Sequence, residues 1–128
     1  MVELNDRNIG IYVLVTAYGA DVLLVTAPNL PNLPLLDIET SRGKRTTQLD
    51  LTLPSDRETL TSLAKDSDVF LQAYRPGGIR AKGFGPEELA KARPGIVYAG
   101  LSAYGWEGPW KDRRGVRFKL SGYYNTII

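Results

Sequence analysis

Short β-branched runs alternate with helix-period segments along this chain, at a spacing that leaves few architectures open. The run Asp21-Val22-Leu23-Leu24-Val25-Thr26 has the apolar character of a buried parallel strand. Before it, an apolar stretch from Ile9 to Tyr18, broken by Gly19, reads as a short helix. Ser41-Arg42-Gly43-Lys44-Arg45 is a basic turn feeding a strand-like Thr46-Thr47-Gln48-Leu49-Asp50-Leu51. Ser55 with Glu58 three residues later is a capping box, and Leu60, Leu63 and Ala64 follow at helical spacing, which predicts a helix over 55–65. Asp68 to Gln72 reads as another buried strand, and Pro86 opens a second helix that runs through Leu89 and Ala92 to the stop at Pro94-Gly95. Gly95 to Ala99 is the next strand.

Strands separated by helices of this length pair in parallel through right-handed crossovers, so the expected fold is a Rossmann-like α/β unit with a mostly parallel open sheet and flanking helices. Ligands of such sheets sit beyond the carboxyl ends of the strands, which here carry Thr26-Ala27, Ala73-Tyr74-Arg75 and Leu101-Ser102. Residues Pro28 to Pro34 alternate proline with Asn and Leu and make an irregular surface loop. Past Ser102 the chain turns rich in glycine and tryptophan, with Trp106 and Trp110 expected to cover core, and Gly122 to Ile128 reads as an element whose partner is missing. The expectation is one domain over residues 1–128, incomplete at its end, that exposes more apolar surface than a finished one.

Composition narrows the chemistry. With no cysteine and no histidine, the chain excludes thiol nucleophiles, disulfides, zinc clusters, Ser-His-Asp triads and histidine acid–base catalysis. What remains is carboxylate, Lys, Tyr and backbone. A net charge of +2 is too small for a duplex-binding surface, so no nucleic acid partner is expected, although Lys111, Arg113, Arg114, Arg117 and Lys119 form a local basic cluster. The apolar run from Ile9 to Val15 is too short to span a bilayer and lacks the flanks of a secretory signal, so no membrane partner is expected and the default location is the cytoplasm, an organelle lumen remaining open.

Four segments in order resemble class III CoA transferases of the CaiB/BaiF family, the relatives of formyl-CoA transferase and α-methylacyl-CoA racemase. They are Gly19-Ala20-Asp21-Val22; Gly43-Lys44-Arg45 with Leu49-Asp50-Leu51; Asp68-Val69 through Tyr74-Arg75-Pro76-Gly77; and Ser102-Ala103-Tyr104-Gly105 with Gly108-Pro109-Trp110. The likeness covers roughly Gly19 to Gly115. It implies coenzyme A as ligand, an acyl-CoA or CoA as partner, no metal, and transfer of CoA between acyl groups by full-length relatives that resemble interlocked homodimers. By the same resemblance Leu49, Asp50, Leu51, Thr52, Ala73, Tyr74 and Arg75 occupy CoA-contacting positions, and Arg114, Gly115, Val116 and Arg117 fall where the family also reaches the cofactor. CoA carries a 3′-phosphate, a pyrophosphate and an adenine, so Lys44, Arg45 and Arg75 are candidate cations and Tyr74 a candidate stacking surface.

Several positions depart from the family. Its aspartate nucleophile, which forms a mixed anhydride with the acyl group, lies beyond the Gly-Pro-Trp segment and past Ile128, so no residue here is assigned a catalytic role. Val116 and Arg117 stand where the racemase branch has His-Asp, Ala73 replaces the commoner asparagine, and Ala81 sits where arginine is frequent. The first helix is shorter than in the family, with Ile11 at the place of a proline. The chain is thus expected to be a fragment, a truncated product or a decayed copy, inactive by itself. The rival reading is a non-enzymatic module that binds CoA or a nucleotide.

Overall fold

The computed structural model describes residues 1–4, 12–29, 41–74 and 77–113. Its elements, in chain order, are β1 (Val2–Leu4), α1 (Tyr12–Ala17), β2 (Leu23–Thr26), β3 (Arg45–Gln48), α2 (Pro54–Lys65), β4 (Val69–Gln72), a single 3₁₀ turn (Arg80–Lys82), α3 (Pro86–Ala92) and β5 (Val97–Gly100). The five strands form one sheet in the order β3-β2-β1-β4-β5, and every neighbouring pair is parallel. The Rossmann-like reading is therefore correct, and the strands near 21–26, 68–72 and 96–100 lie parallel in one sheet as expected.

The sequence reading missed β1, the strand at the sheet's centre. It spans only Val2–Leu4 and carries a glutamate in the middle, so neither length nor periodicity announces it. Register makes Val2 face Leu23 and Phe70 while Glu3 faces Leu24 and Leu71. Partners in a parallel ladder point to the same side, so the sheet has two distinct faces.

One face is the core. Val2, Leu4, Val25 and Phe70 meet Leu60 and Ala64 of α2, Leu89 of α3, and Ile79 and Phe84 from the segment between β4 and α3. Leu60 is fully buried, and Leu63 packs against the cluster from its margin, as the helical spacing predicts. Each fully buried Val, Leu, Ile or Phe side chain among them contributes roughly 1.5–3 kcal/mol by leaving water. Phe70 stacks between Phe84 and Tyr98, with ring centroids 6.2 Å and 6.0 Å away, and so locks β4, β5 and the crossover together.

The helix ends follow local rules. Gly19, at φ +90°, closes α1: its N–H donates to the Thr16 carbonyl while the Ala20 N–H donates to that of Val15, a Schellman pair that only a left-handed residue completes easily. The expected capping box at the start of α2 does not form. The N-cap is Leu53, Pro54 takes the first turn, and Ser55 Oγ turns to Asp56 Oδ1 at 3.2 Å rather than to a backbone N–H. Strand β3 also ends earlier than expected, at Gln48, because Leu49 and Leu51 turn into the core.

Candidate functional site at the carboxyl edge

The ladder hydrogen bonds run one step past the strands and fix where each following loop begins. Leu49 N–H donates to Thr26 O at 3.0 Å, Ala73 N–H to Leu4 O at 3.2 Å, and Leu101 N–H to Gln72 O at 2.9 Å. The segments after β3, β4 and β5 therefore leave from one edge of the sheet, the carboxyl edge.

In the first segment Leu49 and Leu51 are buried, which leaves Asp50 and Thr52 outward. Asp50 organises the turn: its Oδ1 accepts from the Thr52 N–H at 2.9 Å and the Thr52 hydroxyl at 2.7 Å. The Asp50 N–H donates to Asp56 Oδ2 at 2.7 Å, tying the turn to α2. The Thr52 backbone N–H, then its hydroxyl, hold the Asp50 carboxyl below the usual carboxylate range, with Lys82 adding a smaller push in the same direction. Asp50 is thus a turn-former that stays ionised.

In the second segment Ala73 is half-buried and Tyr74 packs its ring against the margin of the core. The Tyr74 N–H donates to Gln72 Oε1 at 2.8 Å. Arg75, Arg114, Gly115, Val116 and Arg117 lie outside the described residues.

Lys44 and Arg45 stand elsewhere. They lie at the amino end of β3, opposite the edge that holds 49–52 and 73–74. Lys44 Nζ donates to Glu3 Oε2 at 2.8 Å, and both side chains are wholly buried. Arg45 forms a two-pronged pair with Asp21, at 3.0 Å and 2.6 Å, on the surface. The structure therefore brings 49–52 and 73–74 to one edge and places these two cations, already in ion pairs, at the other.

Beside the carboxyl edge a pocket of about 430 Å³ opens between Ile79, Arg80, Pro86, Tyr98, Gly100 and Trp106. Trp106 and Trp110 were expected to cover core, but they are 44% and 51% exposed. Trp106 instead lies on Gly100, where a Cβ would overlap the indole, and Trp110 meets Tyr104 edge-on with Arg113 over its ring. Burial raises the Tyr98 phenol above its ordinary value; the Gln72 amide and Arg80 offset part of this, and Glu87 and Glu88 add to it. Gln72, Tyr98, Gly100 and Trp106 were absent from the sequence-derived site. Two signals could have found them: a glycine closing a strand, which marks a close approach, and a lone carboxamide ending an apolar run.

An all-parallel sheet of this order defines a Rossmann-like α/β unit. The chain belongs to CoA-transferase family III, whose model matches residues 16–120. It is 40% identical over 101 residues to the acetyl-coenzyme A transferase nodX of Hypoxylon pulicicidum, across 76% of this chain and 17% of that protein. To the probable fatty acyl-CoA transferase Rv3272 of Mycobacterium tuberculosis it is 36% identical over 111 residues, across 77% of this chain and 28% of that one. A crystal structure of Rv3272 superposes with a TM-score of 0.80 and 32% identity over 94% of this chain and 36% of the other. A CaiB/BaiF family protein of Brucella suis superposes at 0.77 with 27% identity, over 94% and 37% of the two chains. The chain thus spans less than a third of the length of these curated relatives. Among the described residues no helix is long and apolar enough to cross a membrane, and no group of three or more acidic, His or Cys side chains could hold a metal ion.

Proposed function

We propose that this chain forms part of the CoA-binding half of an enzyme that transfers CoA between acyl groups. Acyl-CoA or free CoA is the partner, the cytoplasm the place of action, and a second copy of the full-length protein the mate. The observation that carries this reading is the convergence of 49–52 with 73–74 at the carboxyl edge of a parallel sheet, since both segments bear family motifs. CoA lies along that edge, its charged groups met by backbone donors and Arg75, its flat base by Tyr74.

The site accordingly rests on Leu49, Asp50, Leu51, Thr52, Ala73, Tyr74 and Arg75. Arg114, Gly115, Val116 and Arg117 join it on the family resemblance alone. Lys44 and Arg45 hold the sheet together from the far edge. The family reaction needs a carboxylate that attacks the thioester, and none of the 128 residues is assigned that role, so binding and turnover separate in this chain.

Hydrogen exchange with and without CoA tests the placement. The expected result is protection of amides in 49–52 and 73–74, with 41–45 unchanged. Protection confined to 41–45, or none anywhere, would contradict it. Acyl exchange between two CoA thioesters should run at the uncatalysed rate, and a faster rate would overturn the separation of binding from turnover.

A further inference from the structure

Gln72 ends β4 fully buried, and its two amide atoms are treated unequally. Oε1 accepts the Tyr74 N–H, whereas Nε2 has no hydrogen-bond partner. The amide faces the Tyr98 hydroxyl closely enough to affect that phenol's ionisation, but the approach falls short of hydrogen-bond geometry. A buried N–H₂ without an acceptor is unfavourable, and such groups are uncommon in folded proteins. Gln72 does not itself line the pocket; its donor lies directly behind the Gly100 wall, where a Cβ on Gly100 would come 3.0 Å from Nε2 while overlapping the benzo edge of Trp106. The indole therefore covers the amide, and it is itself 44% exposed and packed against a residue with no side chain.

The walls themselves are apolar or flat, apart from Arg80, whose guanidinium pairs with Glu87 at 2.6 Å on the surface and whose charge reaches Tyr98. A cavity of about 150 Å³ is enough for benzene. The space here, about 430 Å³, holds a substituted ring or a short unsaturated chain with one polar end. A ligand suited to these walls is flat and apolar, and it offers an acceptor to Gln72 and a negative charge to Arg80.

We propose that this pocket binds a planar aromatic carboxylate, with its ring against the Trp106 indole and its carboxylate accepting from Gln72 Nε2 and facing Arg80. The assignment deepens the CoA-transfer reading and rests on it for its meaning: a free carboxylate is what such a reaction releases and accepts. Trp106 shifts off Gly100 as the ligand enters, which uncovers the amide.

Benzoate titrated into the Trp110→Phe chain tests this, because Trp106 is then the sole tryptophan and reports by its fluorescence. Expected are a saturable change with benzoate and at least tenfold weaker binding of cyclohexanecarboxylate, which has the same charge but no flat ring. In the Trp110→Phe background, Gln72→Met should weaken benzoate binding, read by calorimetry, by about tenfold. Trp106→Ala should abolish it and Trp106→Phe restore most of it, which keeps the test decisive if Gln72→Met does not fold. No saturable change, equal affinity for the two acids, or indifference to the Trp106 variants overturns the assignment. Tighter binding of adenosine at the same place reassigns the pocket to a nucleotide base and overturns it as well. CoA is titrated into the same sample: CoA bound without benzoate sinks only this inference, and benzoate bound without CoA sinks only the CoA reading.

Discussion

At the scale of single residues, the Glu3–Lys44 pair is the most consequential contact in the sheet. Lys44, before β3, reaches across β2 to the middle of β1, over the face that carries Val22 and Leu24. Glu3 Oε1 has no hydrogen-bond partner, and burial raises the Glu3 carboxyl above its ordinary value of 4.5, with the hydrogen bond and charge of Lys44 opposing in part. A buried pair is worth little against an apolar replacement, but breaking it strands a charge. Lys44→Met alone should therefore cost about 3–5 kcal/mol, and the double change Glu3→Leu with Lys44→Met should recover most of it. Denaturant melts check both, and a double variant no more stable than the single one would contradict the pairing. The pH dependence follows from the raised native pKa: the folded state holds the Glu3 proton more tightly than the unfolded chain. The contribution of Glu3 to stability is greatest below 4.5 and is lost as pH rises through the raised value, so wild type should lose ground to Glu3→Gln across that window. A flat difference between the two would show that Glu3 titrates normally.

At the scale of elements, the sequence was most legible where period and punctuation agreed. Leu60, Leu63 and Ala64 placed α2 to within one residue, and Pro86 with Pro94-Gly95 bracketed α3. The mechanism of the α2 start was not legible. Ser55 and Glu58 satisfy the capping-box pattern, yet Pro54 supplies the first-turn geometry and Asp56 reaches back to the Asp50 N–H, a contact no local pattern encodes. Asp56→Ala should thus cost about 1 kcal/mol, the usual value of one hydrogen bond, whereas Ser55→Ala should be nearly silent. The reverse order in thermal melts would reinstate the capping box. Strand β1 was illegible for a different reason. Its burial comes entirely from neighbours on both sides, and a charged residue at the centre of a three-residue strand is tolerated only because Lys44 waits 41 positions away.

At the scale of the whole molecule, parallel topology was readable because alternating strands and helices admit few connections. The candidate site was readable only in its backbone segments. Leu49 to Thr52 and Ala73 to Tyr74 follow strands directly, so strand order carries them to one edge. Charge type alone is ambiguous for Lys44 and Arg45, since a basic turn before a strand looks the same whether it meets a ligand or, as the ion pairs with Glu3 and Asp21 show, a carboxylate of the chain itself. The pocket walls at Tyr98, Gly100 and Trp106 depend on how the chain folds back after β5, which no short motif specifies. On the proposed reading, CoA lies at the carboxyl edge and is held there by Arg75. Calorimetric titration of CoA into the wild-type chain and Arg75→Ala, each confirmed as folded, tests it most directly. Saturable binding to wild type is expected, weakened in the variant by about 1.5–3 kcal/mol, the range for a hydrogen bond to a charged group. Equal affinity in the two proteins, or no binding by either, would contradict it.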